Sequence, residues 1–337
     1  MKVTTAPCVN EFSPDPEVTS SPPLRAVFVD ANPALGKVAD DLLRLDDVHF
    51  TINRQLDIRP EGLSAVLAGA QIAIIDHTHL PTAIARQCSG LEHVVFLGTG
   101  ARSYMDPDEL ATMGITVHMI KGYGDTAVAE CAIALMWEAA RGFARMDREM
   151  RAGNWVRSDA LQLTGRTMGL IGFGGIAAET ARLAAGMGMK VLAWNRTPKK
   201  SAEVTFVELD QLLAESDVIS LHLLLCEETK NFLSRERIAA MRAGAILVNT
   251  ARGALVDEDA MIDALNSGQL RHAGLDVYTV EPMPPGHRLT ALPNVTLSAH
   301  SAFRTNEANQ NLIGAARDHC RRIADDAGSA DMSTRGV

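Results

Sequence analysis

Short, uninterrupted apolar runs recur along this chain, separated by longer stretches in which apolar residues return every third or fourth position. The runs read as strands buried on both faces, and the stretches between them as amphipathic helices. In the first part of the chain, strands are predicted over residues 26–29, 50–53, 71–75, 93–97 and 115–119. Helices are predicted over 34–43 and 60–68, the second with Pro60 near its start. Further on, strands are predicted over 168–171, 190–194, 218–223, 245–249, 273–277 and 295–298, and helices over 176–187, 234–241 and 257–266. Such alternation predicts an α/β fold with two doubly wound parallel sheets, helices on both faces and right-handed crossovers. Functional loops are then expected at the C-terminal ends of the strands.

Two long helical patterns bear on assembly. Residues 126–152 predict one helix after a hinge at 122–125, capped by Asp125 or Thr126. It is apolar on more than one face through Val128, Cys131, Ile133, Leu135, Met136 and Trp137. A helix of that kind is buried all round, here both against its own domain and against a second copy in a homodimer. The closing helix, 307–324, has no natural place in the second sheet and is expected to return to the first domain.

The stretch 167–196 carries the sharpest local signal. An apolar strand runs into Gly172-Phe173-Gly174-Gly175-Ile176-Ala177, then a helix, then a second strand. Gly172 permits the sharp turn, Gly174 removes a side chain where backbone approaches a pyrophosphate, and Ala177 lets the helix lie close to the sheet. The helix N-terminus offers free N–H groups to phosphate. With strand, helix and second strand all in place, the spacing predicts a dinucleotide site.

The bulk numbers narrow the class. At 337 residues with 47% apolar content, the chain has material for two packed domains. A net charge of −9 without a basic run speaks against nucleic acid. Segment 127–144 is the most apolar long stretch, but Glu130, Glu138 and Arg141 within it speak against a membrane span. The five cysteines are scattered without metal-ligand spacing, and no signal-peptide pattern opens the chain. A cytoplasmic protein without a metal centre is expected. His77 and His79, two residues apart after the 71–75 strand, read as loop residues rather than metal ligands.

Three polar residues follow later strands and fall where a cofactor crevice is expected: Arg252, Glu281 and His300. Around them the sequence resembles the D-2-hydroxyacid dehydrogenase family. The resemblance is carried by VAECAIALM at 128–136, the glycine fingerprint, SDVISLHL at 216–223, ILVNTARGALVDEDAM at 246–261, AGLDVYTVEP at 273–282 and NVTLSAHSAFRT at 294–305. It implies a Rossmann cofactor domain, 122–300, inserted in a flavodoxin-like substrate domain, 25–121 with 301–326. From their composition, residues 1–24 are expected to form a mobile arm and 327–337 a frayed tail.

The resemblance also implies roles. Arg252 clamps the carboxylate of a small 2-oxo acid, His300 gives its carbonyl oxygen a proton, and Glu281 holds the imidazole. Asp276 contacts the nicotinamide end of the cofactor, and Thr250 and Ala251 line its floor. Backbone N–H groups of Thr99 and Gly100 form a carboxylate site, with Arg102 as a further charge. The 98–105 loop is one residue longer than the family's pattern, Cys131 stands where His is common, and Leu224 replaces a usual proline. A hydroxypyruvate or glyoxylate reductase and a short phosphoglycerate dehydrogenase both fit. The alternative is a cofactor-sensing corepressor or other binding protein on the same fold.

The end of the second fingerprint strand points to a cofactor. NAD sites place Asp or Glu there, which repels a 2′-phosphate. This chain has Asn195, followed by Arg196 and Thr197, with Lys199 and Lys200 close behind. Guanidinium, hydroxyl and ammonium groups suit a 2′-phosphate, so NADP is expected, with NAD possible.

Overall fold

A computed structural model of the chain describes residues 22–55, 58–197, 199–201 and 204–334. Its first unit contains β1 (Leu24–Phe28), α1 (Pro33–Leu42), β2 (Val48–Ile52), α2 (Leu63–Val66), β3 (Ile72–Ile75), α3 (Thr82–Ala85), β4 (His93–Phe96), α4 (Pro107–Thr112) and β5 (Thr116–Met119). The strands pair in parallel in the order β2-β1-β3-β4-β5, the flavodoxin type. Every residue of Ile72–Ile75 is buried. A strand covered by helices on both faces has no solvent side on which to place a polar residue.

The chain then crosses to the second unit through α5 (Asp125–Arg141) and α6 (Phe143–Arg151). There follow β6 (Thr167–Ile171), α7 (Gly175–Gly186), β7 (Lys190–Trp194), β8 (Thr205–Phe206), α8 (Leu209–Glu215), β9 (Val218–Leu221), α9 (Arg235–Ala240), β10 (Ala245–Asn249), α10 (Glu258–Ser267), β11 (Leu270–Leu275) and β12 (Val295–Leu297). Their parallel order is β12-β11-β10-β9-β6-β7-β8. Taken from β8 this is the dinucleotide-binding order with one further strand, and the reversal point lies between β6 and β9. The last helix, α11 (Asn306–Thr334), leaves this sheet. Its Leu312, Ile313, Ala316 and Cys320 complete the core formed by Ala26, Phe28, Ile72, Ile74 and Val95.

Several sequence expectations change. The helix expected over 126–152 is two helices. Gly142 adopts φ 69°, a left-handed conformation that ends α5. Glu138 then accepts from the Ala144 N–H at 3.0 Å and caps α6. Neither Asp125 nor Thr126 caps α5, because Gly124 occupies the cap without a side-chain bond. Val128, Leu135 and Met136, expected in a homodimer interface, are buried within the chain, the latter two beneath β6 and α7. The large exposed apolar residues nearby are Phe143, Met150 and Trp155. The segment over 60–68 is a short 3₁₀ turn, Pro60–Gly62, leading into α2. Helix α11 continues to Thr334, past the fraying expected from 327. Leu24, assigned to the N-terminal arm, already belongs to β1, and residues 1–21 lie outside the described residues. No described helix is long and apolar enough to cross a membrane.

Candidate active site

The glycine turn has the form its spacing predicts. Gly172 sits at φ 88°, and a Cβ there would lie 2.6 Å from the His222 carbonyl oxygen, so only glycine fits. Gly174 has open space where a side chain would be and supplies the N-cap of α7. Ala177 is fully buried against the sheet. Ile176 is half-buried, and its carbonyl accepts from Thr180 Oγ1 at 2.8 Å. Asn195 braces this turn from the end of β7: its Oδ1 accepts from the Phe173 N–H at 3.1 Å, and its Nδ2 donates to the Thr197 carbonyl at 2.7 Å. Lys199 donates to the Phe173 carbonyl and is therefore not free for a ligand. Arg196, Thr197 and Lys200 are exposed.

At the ends of β9 and β10, Thr250 Oγ1 and His222 Nε2 are buried without a hydrogen-bond partner in the structure. Burial holds the His222 ring neutral, with its pKa lowered to about 4. Orphaned polar atoms beside an open glycine turn and a helix N-terminus are what a bound dinucleotide would satisfy. The residues present fit that group.

His300 stands on the loop after β12. Its Nδ1 lies 2.6 Å from Glu281 Oε2, while Glu281 Oε1 accepts from the Tyr278 N–H at 2.8 Å. An ionised carboxylate only accepts, so Nδ1 carries the shared proton and Nε2 is left for a substrate. The loop is held by Asp276, which is fully buried. The Asp276 carboxylate accepts from Ser298 Oγ and from the N–H groups of Ser301 and Ala302 at 3.0 and 2.9 Å. Asp276, expected at the nicotinamide, is seen here holding the His300 loop, a role that sequence spacing does not reveal.

Arg252 extends from the turn after β10. Asn249 Oδ1 accepts from the Ala251 N–H, and its Nδ2 donates to the Arg252 carbonyl, fixing that turn. A Cβ placed on Gly100 would sit 3.5 Å from Arg252 Nη2, so the arginine reaches the glycine loop of the other unit. In that loop the N–H groups of Thr99 and Gly100 donate no hydrogen bond among the described residues. Arg102 is different. It pairs with Asp108 at 2.9 Å, with both side chains exposed, and is occupied there.

The first unit contributes a second organised loop. Asp30, at the end of β1, is buried and accepts four hydrogen bonds from the segment after β3. They come from the N–H groups of Asp76, His77 and Thr78 at 2.9, 2.7 and 2.8 Å, and from Thr78 Oγ1 at 2.8 Å. Asp76 in turn pairs with His77 Nδ1 at 2.9 Å, which raises the His77 pKa above its usual value. The Tyr104 ring meets His77 edge-on at 5.5 Å. A cleft of about 600 Å³ joins Asp30, Asp76, His77 and His79 to His300, Phe303 and Arg304.

Of the residues the sequence pattern singles out, the structure joins Glu281 to His300 and brings Arg252 to the Gly100 loop, while Asp30, Phe303 and Arg304, which the pattern does not single out, line the cleft with His300. Asp30 and Asp76 each directly follow a predicted strand, which is the available signal. Their convergence depends on β1 and β3 being neighbours.

Fold and site define a two-domain, dinucleotide-dependent oxidoreductase with a histidine–carboxylate pair in its interdomain cleft. Residues 133–302 match the family of D-isomer specific 2-hydroxyacid dehydrogenases in its NAD binding domain. The chain belongs to that family. It is 33% identical to the hydroxypyruvate reductase of Blautia hydrogenotrophica over 264 residues, covering 75% of this chain and 82% of that protein. Among solved structures it resembles the TT0316 protein of Thermus thermophilus, with a TM-score of 0.79 and 34% identity over 87% of this chain and 94% of that one. It also resembles the acyclic imino acid reductase Bsp5 in complex with NADPH and D-Arg, with a TM-score of 0.73 and 26% identity, covering 86% of this chain and 94% of that one.

Proposed function

We propose that this protein reduces a small 2-oxo acid to the D-2-hydroxy acid, with NADPH as the preferred reductant. The observation that carries the reading is the His300–Glu281 pair at 2.6 Å, together with an arginine, Arg252, that reaches Gly100 of the first unit. In this reading the N–H groups of Thr99 and Gly100 and the Arg252 fork hold the substrate carboxylate. A second Arg252 donor polarises the carbonyl. A nicotinamide cofactor, once bound, would supply the hydride that reduces C2. His300 delivers a proton to the carbonyl oxygen, and Glu281 stabilises the imidazolium that gives it up. In the reverse direction His300 removes that proton from the hydroxyl.

Gly172 to Ile176 would cradle the pyrophosphate of the cofactor, Thr250 and Ala251 would line the floor beneath its nicotinamide, and Asp276 would stand at the nicotinamide end. Arg196 and Thr197 would take a 2′-phosphate, and Asn195 leaves the site without the carboxylate that would repel it. Among relatives, the Bsp5 reductase carries NADPH, which supports the assignment. The test is turnover of glyoxylate, hydroxypyruvate and pyruvate with each reduced cofactor, in wild type and in His300→Gln. The variant is expected to lose turnover by about a hundredfold or more while cofactor affinity is retained. Near-normal turnover in it would remove His300 from the mechanism. No turnover of any 2-oxo acid by the wild type would instead favour a cofactor-sensing role.

We further propose a homodimer whose contact is Phe143, Met150 and Trp155, because these apolar side chains on and after α6 are more than half exposed. A monomer by light scattering at micromolar concentration would overturn this. Cys88, Cys131, Cys226 and Cys320 are free thiols, which suits a reducing compartment such as the cytoplasm.

A further inference from the structure

We propose that His77 and Arg304 form a distal anion site, so that the preferred substrate is a 2-oxo acid with a second negative group at its far end. This rests on the reading of His300 and Arg252 as the reacting end of the same site.

The cleft shared by His300 and His77 has a volume of about 600 Å³. That is the size of a pocket for a much larger ligand than glyoxylate or pyruvate. What matters is which polar groups on its wall remain free. Asp30 is not one of them, since its carboxylate already accepts four hydrogen bonds from the 76–78 segment. Asp76 is also consumed: its side chain is buried, its N–H goes to Asp30 and its carboxylate to His77 Nδ1. The groups left over are an imidazole edge, which donates when protonated, and a guanidinium. His77 is exposed and its Nε2 has no partner among the described residues, because Nδ1 is the atom turned to Asp76. Arg304 is exposed, lines the same cleft and forms no ion pair among the described residues.

The arrangement is also rigid where rigidity helps binding. Three consecutive backbone N–H groups are tied to Asp30, and the His77 ring is fixed both by Asp76 and by the Tyr104 edge. A donor held in place before the ligand arrives loses little entropy on binding. Arg304 belongs to the loop that Asp276 anchors, since Ser301 and Ala302 donate to that carboxylate and the Arg304 N–H donates to the Ser301 carbonyl. The same loop therefore presents the proton donor His300 and the distal cation Arg304. A substrate held at both ends would be oriented by one rigid element.

Protonation sharpens the chemistry. With Nδ1 donating to Asp76, a neutral His77 exposes a lone pair at Nε2, and a protonated one exposes an N–H. The groups facing the ring are Asp76, Asp30, Arg304, Tyr104 and His79. The hydrogen bond to Asp76 raises the His77 pKa most, the Asp76 and Asp30 charges add to it, and burial and Arg304 oppose. Affinity for a distal anion is thus greatest below that raised pKa and declines as pH rises through it.

The test is kcat/KM with the reduced cofactor for neutral-ended 2-oxo acids (pyruvate, 2-oxobutanoate, hydroxypyruvate) against oxaloacetate, 2-oxoglutarate and 3-phosphohydroxypyruvate. The last three separate a distal carboxylate from a phosphate. At least one doubly anionic acid is expected to exceed 2-oxobutanoate by about tenfold, the value of one charge-assisted hydrogen bond. Arg304→Gln should lower that selectivity ratio by about tenfold, chiefly through KM, and Arg304→Glu should reverse it. His77→Asn should flatten the rise of KM with pH for the doubly anionic acid. A wild-type enzyme that turns over hydroxypyruvate but shows no preference for any doubly anionic acid overturns the distal site alone. So does an Arg304→Gln variant, folded by circular dichroism, whose ratio is unchanged. Failure to reduce any 2-oxo acid overturns the reaction assignment and the distal site together.

Discussion

His300 is bound to Asp276 through the backbone on one side and flanked by its carboxylate on the other. The His300 N–H donates to the Asp276 carbonyl at 2.8 Å, while the next two N–H groups donate to the Asp276 carboxylate. The relationship explains how His300 holds φ 47°. A left-handed conformation costs a residue with a Cβ about 1–2 kcal/mol, and such a conformation persists only where its surroundings over-determine it. Asp276 is the group that does so, and it lies at the end of the neighbouring strand, β11.

From this follows a prediction for Asp276→Asn. One oxygen is replaced by an NH₂ that faces backbone donors, and each buried group left unsatisfied costs about 1–3 kcal/mol. The variant should fold with a lowered Tm and lose turnover out of proportion, because His300 is no longer held. Combined with His300→Gln it should add almost nothing to the loss in turnover, since both changes remove the same placed proton donor. Additive losses in a double-mutant cycle would show that Asp276 acts elsewhere.

Arg252→Lys keeps the charge and removes the planar fork. An ammonium cannot hold a carboxylate in two-pronged fashion while also reaching the carbonyl. The expected loss in kcat/KM is about ten- to a hundredfold, the value of one or more charged hydrogen bonds. Steady-state kinetics with hydroxypyruvate checks it, and retained wild-type constants would remove the bidentate role.

Cofactor choice is expected to turn on Asn195 and Arg196. Arg196→Ala should weaken NADPH binding and leave NADH nearly unaffected, since only the former offers a 2′-phosphate. Asn195→Asp should shift preference toward NADH. It should also loosen the turn, because the carboxylate still accepts from Phe173 but can no longer donate to Thr197. The ratio of kcat/KM for the two cofactors measures both effects. A clear NADH preference in the wild type would refute the assignment.

A stability prediction comes from three histidines outside the cleft. His118 Nε2 lies 3.2 Å from His93 Nδ1, and the His319 ring, on α11, is 5.4 Å from that of His118. Burial, followed by its neighbours' charges, lowers the His118 pKa to about 4, and burial lowers His93 and His319 as well. Their folded pKa values lie below the unfolded one, so the unfolded chain binds more protons between about pH 6.5 and 4. Stability from this cluster is present above that window and is lost as pH falls through it. Thermal melts from pH 7.5 to 4.5 should show a steeper fall in Tm for wild type than for His118→Gln. Parallel curves would show that the cluster does not couple to folding.

Much of this protein is legible in the order of its residues. Buried parallel strands must be continuous apolar runs, so all but the shortest, Thr205–Phe206, stand out. The fingerprint is readable because Gly172, Gly174 and Ala177 meet steric demands that are local to one turn. Arg252, Glu281 and His300 can be found because each follows a strand, and the ends of strands in such folds face the crevice. The return of α11 to the first sheet is expected of a helix with no open face in the second.

Tertiary structure alone decided what depends on contacts distant in the sequence. The break at Gly142 is visible as a residue but not as a stop, since glycine within an apolar pattern is tolerated in many helices. The apolar side of α5 is present in the sequence, but its partner, β6 with α7, is not. Asp30 and Asp76 are 46 residues apart, and nothing in either segment announces that one carboxylate will bind three successive N–H groups of the other. The same holds for Arg304 and His77, which are distant in the sequence and share one cleft. Periodicity and turn chemistry act over a few residues and are written in the order of the chain. The remaining polar groups take their partners only when the strand ends of two sheets are brought together.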